Sequence, residues 1–519
     1  MKFRSVLLGA GAVLQPGFGA AYAAEKPTVP AETAKAPAAD EGPAIPVEDA
    51  QPKKRSIPLN GKTLAYTVTP GNLIIRDDLG NPIASMFYTA YTVDRPAGAL
   101  QRPVTFLFNG GPGSASMFLH MGSFGPLKLD MSKVEAARPG PNMLRPNPET
   151  MLDKTDLVFL DAITTGFSRP VGKAKPQDFW GVDQDIDAFA RGIERYLSVN
   201  QRWQSPKFIL GESYGTMRAG GLVYTLQERG IQMNGVLVIS TVFSYSPAMD
   251  PGTDQIYVSY LPSYALVAAY HNKLAEQPAD LAALADRARE FANGPYLVAL
   301  QKGNDLSDAD RRSMAEQLST FTGLSPQFLL NNDLRVDPTR FRKELLRSER
   351  RTIGRLDARF KAIDVDAGGD KPEYDAASAA ISGAFIAAIN DYLFRDLGYK
   401  TDLAYRPSSG SMIKDSWDFT HRLPTGGRIN VAATTMPDLS AAIRRNPHLK
   451  VIDLNGYYDL ATPFGGAEYD LKRIMLDDTQ KDRISYRYYP SGHMVYIDPA
   501  SARQMKTDMD AFYDNALSN

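Results

Sequence analysis

The sequence contains no cysteine. Disulfides, thiol catalysis and cysteine-ligated zinc are therefore excluded. It also lacks an excess of either charge: 58 basic against 59 acidic side chains leave a formal net charge of -1. No global basic field exists to attract nucleic acid or an anionic membrane, so neither is expected as a partner. Histidine is scarce, with five in 519 residues, so a reaction that uses an imidazole base has few candidates. There is no H-E-x-x-H pair, and catalytic zinc is not expected. No phosphate-binding glycine fingerprint follows a strand, because the loop Asn109–Gly113 lacks the necessary lysine. The stretch from Asp364 to Gly369 begins like a calcium loop, but Gly368 stands at its fifth position and Asp375 at its twelfth. The expectation is no metal and no cofactor.

Long apolar runs are missing too, except at the N-terminus. Lys2 and Arg4 precede a small, apolar stretch from Ser5 to Gly19, and Ala21-Tyr22-Ala23 has the small-x-small cleavage pattern. Gln15-Pro16 interrupts the stretch, which is short for a membrane span. Residues 1–23 therefore read as a signal peptide, and no later stretch reaches spanning length. An exported chain without disulfides suits a bacterial periplasm or exterior. Residues 24–55 follow, rich in Ala, Pro, Glu and Lys and without aromatics or periodicity, as a flexible linker.

From Thr63 the pattern is strand-like. Leu64–Val68, Leu73–Arg76 and Ile83–Val93 are β-rich runs separated by Pro-Gly and Gly-Asn-Pro turn signals. Short apolar runs at 104–108, 157–160, 208–210 and 236–239 alternate with helical spacing over 183–199 and 214–228. That alternation argues for a mixed, mostly parallel sheet covered on both faces. From about 251 to 425 helical periodicity takes over. The strand pattern then resumes at 451–454 and 484–489, before a terminal helix near 502–516. The organisation expected is an α/β core over 56–245 and 429–519, with a helical cap inserted at 246–428. The cap would lie over the sheet edge where open α/β sheets place ligands.

Gly211-Glu212-Ser213-Tyr214-Gly215 follows a strand and opens a helix, as a nucleophile elbow must. The turn is tight, so the flanking glycines let neighbouring backbone pass close by. A serine needs a histidine base oriented by a carboxylate, in the order Ser, acid, His on an α/β-hydrolase fold. His271 and His421 fall in the helical block and His448 in a polar turn, so these read as surface or cap residues. His493 follows the last strand in a glycine-flanked loop and is the candidate base. Asp459, just past the strand at 451–454, is the candidate acid. Its rival Asp453 lies inside that strand and reads as a structural hydrogen-bonder. After the strand at 104–108, the glycine pair Gly110-Gly111 suits a backbone oxyanion hole, with the Tyr214 N–H as second donor.

These motifs together resemble the serine carboxypeptidases, an α/β-hydrolase family. The match comprises Asn109-Gly-Gly-Pro-Gly113, Phe124-Gly125-Pro126, Asp161 with Thr165–Ser168, Gly211–Gly215, Gly456-x-x-Asp459 and Gly492–Val495. They stand in the family's order, over roughly Pro58 to Asn515, and look most like its bacterial branch. The resemblance implies a triad of Ser213, Asp459 and His493, with Gly111 and Tyr214 as oxyanion donors. It implies that Asn109 and a protonated Glu212 hold the free C-terminal carboxylate of a peptide substrate, and that Met494 lines the pocket of the leaving residue. A protonated acid can donate to a carboxylate, whereas an ionised one would repel it. Two departures stand out. Better-known members carry a second glutamate where this chain has Ser123, and a tryptophan where it has Phe108. Arg218, one turn after Ser213, is a candidate substitute charge. The expected activity is C-terminal peptide hydrolysis through an acyl-enzyme. Ser123 keeps open an esterase or acyltransferase with the same triad. A non-catalytic binding protein on this scaffold is the remaining alternative.

Overall fold

Alternation decides the central strands. In 207–212, Phe208 and Leu210 belong to one apolar cluster and Ile209 to another. In 235–239, Leu237 and Ile239 join the first cluster, Val236 and Val238 the second. Strands with apolar neighbours on both faces belong in the middle of a covered sheet. The computed structural model of the protein describes residues 42–518, apart from 95–97, 132–143, 246–252, 414–415 and 430–432. The signal-peptide reading of 1–23 lies outside the described residues.

The strands, in chain order, begin with β1 (Lys53–Leu59), β2 (Lys62–Arg76), β3 (Pro82–Val93), β4 (Val104–Phe108), β5 (Leu127–Leu129), β6 (Leu144–Pro146), β7 (Asp156–Leu160) and β8 (Arg169–Pro170). They continue with β9 (Lys207–Glu212), β10 (Gly235–Ile239), β11 (Arg351–Ile353), β12 (Lys361–Ile363), β13 (His421–Arg422), β14 (Arg428–Ile429), β15 (Lys450–Gly456) and β16 (Ile484–Tyr489). One ten-stranded sheet has the order β1-β2-β3-β7-β4-β9-β10-β15-β16, with β8 beside β3. Pairings from β1 to β7 are antiparallel, and every pairing from β7 to β16 is parallel. The chain leaves β4 for β7 on one side and returns to β9 on the other. That reversal opens a crevice at the carboxyl ends of β4 and β9, where such sheets bind ligands.

The helices are α1 (Met117–Gly122), α2 (Val182–Val199), α3 (Tyr214–Glu228), α4 (Gln255–Tyr270), α5 (Leu281–Phe291), α6 (Leu297–Lys302) and α7 (Asp308–Thr322). After them come α8 (Pro326–Asn331), α9 (Pro338–Glu344), α10 (Ala376–Asp391), α11 (Gly410–Ile413), α12 (Met436–Arg445), α13 (Phe464–Leu471) and α14 (Pro499–Leu517). Helices α2, α3 and α12 cover one face of the sheet, and α1, α10 and α14 the other. Ser307 caps α7 by accepting from the Asp310 N–H. The helix expected over 264–274 runs over 255–270 instead, and ends where Asn272 takes a φ of 56°.

Three local expectations need correction. Pro70-Gly71 does not break the strand: β2 runs through it. Pairing with β1 stops at Val68, so the missing proline N–H meets no ladder there. A Cβ on Gly71 would lie 2.7 Å from the Asp49 carbonyl, so glycine allows that segment to cross closely. That crossing revises the linker. Glu48 accepts from the Ile74 N–H and pairs with Arg195, so residues 48–55 dock on the sheet. Third, the insertion is not one helical body. Helices α4 to α9 share their own apolar cluster with Tyr457, Tyr458 and Leu460 from the loop after β15. Helix α10 instead joins the sheet-face cluster and packs Phe385 against Phe118 at 5.0 Å. The short hairpins β11–β12 and β13–β14 interrupt the helical pattern.

The segment Ala376–Asp396 has the length and mean hydropathy, 1.3, of a membrane span, which the sequence reading does not anticipate. Its Ile381, Phe385, Ile389 and Leu393 are buried against the sheet's own cluster, as in the core helix of a folded domain.

Candidate active site

Ser213 sits between β9 and α3 with φ 61° and ψ -133°, a conformation rarely adopted by a residue with a side chain. The neighbouring glycines make it possible. A Cβ on Gly211 would lie 2.2 Å from the Gly215 carbonyl oxygen, and one on Gly215 3.0 Å from that of Phe108. The Ser213 N–H donates to the Ile239 carbonyl at 3.0 Å, which ties the turn to the adjacent strand end.

The loop after β4 presses against this turn. A Cβ on Gly110 would lie 2.4 Å from the Tyr214 nitrogen, so only glycine lets the two backbones meet. Gly111 has φ 110°, in glycine's range. The N–H groups of Gly111 and Tyr214 find no acceptor among the described residues. Two unpaired N–H groups beside a half-buried serine are what an oxyanion site requires. The loop is held from behind. Arg218 donates to the Asn109 carbonyl at 2.8 Å, and the Asn109 side-chain oxygen accepts from the Leu119 N–H at 3.0 Å.

Asp459 and His493 follow β15 and β16. The Nδ1 of His493 lies 2.7 Å from Asp459 Oδ2. Asp459 also accepts from the N–H groups of Ala461 and Thr462. It is fully buried. The Ser240 hydroxyl donates to the His493 carbonyl at 2.6 Å, and the Thr462 hydroxyl to the Ser240 carbonyl at 2.9 Å. Ser240 directly follows Ile239, so the end of β10 links the serine turn to both loops. Burial would lower the His493 pKa; the charge and hydrogen bond of Asp459 outweigh it and hold the imidazole above its ordinary value, with Glu212 adding to the effect.

Glu212 is buried, and its Oε1 accepts from the Asn109 amide at 2.9 Å. Burial pushes its pKa up to about 7, against the opposing charge of His493. The Tyr496 hydroxyl stands beside Glu212 and Asn109. Neither that hydroxyl nor Glu212 Oε2 closes a hydrogen bond among the described residues. A neutral acid with a free oxygen can donate to an incoming anion.

The remaining candidates fall elsewhere. Arg218 does not reach the site as a free charge: its guanidinium pairs with buried Asp185 at 2.7 Å and stacks 4.1 Å above Phe189. The Ser123 hydroxyl donates back to the Leu119 carbonyl at 2.5 Å, so it supplies no second acid. Phe108 packs edge-on against Phe189 at 5.0 Å. Met494 is buried in the sheet-face cluster with Tyr496. Asp453 stays inside β15, bonded to Thr241 and Asn455 rather than to His493.

His421 departs from its reading as a surface or cap residue. It is buried between Asp183 at 2.6 Å and Asp438 at 2.9 Å. Those two carboxylates outweigh burial and hold its pKa at about 9. His271 bonds to the Ala358 carbonyl, and His120 stacks on Phe159. At the calcium-like stretch, the Lys343 ammonium bonds to Asp364 Oδ1 at 2.7 Å and to the Asp366 carbonyl, occupying the place of a cation.

Sequence reasoning misses Asp185, Ser240, Thr462 and Tyr496. Thr462 and Tyr496 lie three residues after Asp459 and His493, a spacing that could have flagged them. Asp185 and Ser240 carry no local signal.

The model of the serine carboxypeptidase family matches residues 79–293, the stretch that contains Asn109, Glu212 and Ser213. No curated protein sequence matches the chain. Among solved structures, a prohormone-processing carboxypeptidase from Saccharomyces cerevisiae superposes with a TM-score of 0.51 at 16% identity, covering 87% of this chain and 92% of its own. A putative aryl esterase from Burkholderia cenocepacia gives 0.37 at 12% identity, covering 86% of this chain and 100% of its own. A proline iminopeptidase from Mycobacterium smegmatis gives 0.35 at 13%, covering 86% and 98%. The mixed, mostly parallel sheet with helices on both faces is that of an α/β-hydrolase. Over residues 79–293 the chain is similar to the serine carboxypeptidases, and the protein is a serine hydrolase.

Proposed function

We propose that the protein is a serine-type carboxypeptidase that releases C-terminal amino acids from peptides through an acyl-enzyme on Ser213. The Ser213 hydroxyl attacks the carbonyl carbon of the last peptide bond while His493 Nε2 takes its proton. Asp459 keeps the other ring nitrogen protonated and stabilises the imidazolium. The N–H groups of Gly111 and Tyr214 hold the oxyanion. His493 then protonates the leaving amine, and water, deprotonated by the same imidazole, cleaves the ester and frees Ser213.

The observation that carries the peptidase reading is the Glu212–Asn109 pair. A buried carboxyl with a pKa of about 7, one oxygen on an amide and the other closing no hydrogen bond among the described residues, suits recognition of a substrate carboxylate. Met494 is assigned to the leaving-residue pocket on the family resemblance. Export with cleavage after Ala23 belongs to the same reading. The Ser123 hydroxyl, bonded to Leu119, favours the esterase alternative, because no second acid completes the recognition pair.

Matched peptides with free and amidated C-termini decide between the two, with Ser213→Ala as the blank. A carboxypeptidase loses most of its kcat/KM on the amide. Equal turnover of both, with faster turnover of small esters, would establish the esterase instead.

A further inference from the structure

The cap reaches the candidate site through the turn between β11 and β12. The Arg355 carbonyl accepts from the Leu460 N–H at 3.0 Å, next to Asp459. The following carbonyl, Leu356, accepts from the His493 N–H at 2.7 Å, and the Tyr458 carbonyl accepts from Ala358 at 3.0 Å. A Cβ on Gly492 would lie 2.5 Å from Asp357, so the turn also seats directly on the glycine before His493. This cap segment is laced to both loops that hold the acid and the base.

Arg355 is exposed on that segment. Its guanidinium makes no hydrogen bond or ion pair among the described residues. The neighbouring arginines differ. Arg342 pairs with Asp375, and Arg359 with Asp357 and Asp498. Asp375 accepts from the Arg355 main-chain N–H and is otherwise taken up by Arg342 and the Ser378 N–H. The cation's field reaches His493, Tyr245 and Tyr260. An unpaired guanidinium, fixed by its main chain beside a catalytic base, is a ready partner for a carboxylate, which it can bind in bidentate fashion.

We propose that Arg355 is a specificity residue that selects peptides with an aspartate or glutamate side chain next to the scissile bond. The inference rests on the carboxypeptidase reading, in which the terminal carboxylate already has Asn109 and Glu212. The anion for Arg355 is then a second one, which the substrate's side chain supplies.

The test uses free-acid peptides that differ only in Glu, Gln or Lys at either residue flanking the cleaved bond. At one of the two positions the wild type prefers Glu over Gln by roughly tenfold in kcat/KM, the size expected for a charge-assisted pair at a partly wet site. Arg355→Gln levels that ratio, and Arg355→Glu inverts it in favour of Lys. Each ratio is taken within one variant, and thermal unfolding checks that the variant is folded. A second readout follows from the field. Without the cation the His493 imidazolium is easier to form, so the acid limb of kcat/KM moves to higher pH in Arg355→Gln.

A wild-type Glu/Gln ratio near one at both positions overturns the inference. So does a ratio unchanged in Arg355→Gln, or an equal loss on every peptide, which would assign Arg355 to the terminal carboxylate. If no peptide is cleaved, the carboxypeptidase reading has failed. The same Glu and Gln side chains on ester substrates then give the charge preference separately.

Discussion

The two sides of Ser213 differ in how far their polar groups are satisfied. On the Asp459 side, every oxygen of the acid has a donor, and His493 is held by its ring, its N–H and its carbonyl. On the Asn109 side, Glu212 Oε2, the Tyr496 hydroxyl and the N–H groups of Gly111 and Tyr214 close no hydrogen bond among the described residues. Buried polar groups are nearly always paired, and each exception calls for a reason. The contrast separates an acid–histidine pair whose polar groups are already satisfied from a surface with open polar groups, which in the proposed function await a substrate.

The sharpest break of that contrast is on the complete side. Ser213→Ala or His493→Ala should lower kcat by about 10⁴-fold or more, and Asp459→Asn by about 10⁴-fold, with circular dichroism unchanged. A drop of less than about tenfold for Asp459→Asn would transfer the acid's role to another residue.

Next is the support behind the recognition side. Arg218→Met leaves Asp185 buried without its cation, at a cost of about 3–5 kcal/mol in denaturant unfolding. It also releases the Asn109 carbonyl, so activity falls more than stability alone explains. The double variant with Asp185→Leu should recover most of the stability and not the activity.

Glu212→Gln sharpens the comparison by fixing the neutral form. Glu212 is protonated below about 7, so under the proposed function free-acid peptides should be recognised there and repelled above. The two titrations are linked, because protonating Glu212 removes a negative charge that favours the His493 imidazolium. In Glu212→Gln only the rise from His493 losing its proton should remain between pH 6 and 8, and relative to that profile the wild-type kcat/KM should fall by roughly tenfold, one pKa unit's worth. Parallel profiles in the two proteins would remove Glu212 from recognition.

The smallest effect lies outside both sides. The His421 pKa is raised to about 9 between Asp183 and Asp438. Its stabilisation is complete below its ordinary 6.5 and is lost as pH rises through 9. The thermal midpoint should therefore drop by a few degrees between pH 6.5 and 9, and His421→Gln should flatten that part of the curve.

What was legible in the sequence has a common character. The Ser213 turn, the loop at Asn109 and the loops at Asp459 and His493 each depend on a few consecutive residues whose backbone needs show as glycines at strand ends. Their roles also follow chain order, which needs no coordinates. The Pro70-Gly71 turn fails as a signal because the docked segment at Asp49, remote in sequence, makes glycine useful inside a strand. His421 fails because its two carboxylates come from Asp183, on the first turn of α2, and from Asp438 on α12. Neither neighbourhood has a local signature.

The sequence by itself determined which residues can do chemistry. No cysteine excludes a thiol nucleophile, five histidines leave few bases, and glycines on either side of Ser213 suit the tight turn that presents it. The tertiary structure alone decided how that chemistry is supported and aimed. Arg218 became an internal strut, because it folds against Asp185 and three aromatic rings. Glu212 became an acid of pKa about 7, because burial removes water from its charged form. Arg355 came to stand beside His493, because a cap hairpin some hundred residues away in sequence hydrogen-bonds to the loops after β15 and β16. Pattern and spacing carry the first kind of information; solvation and long-range contact carry the second.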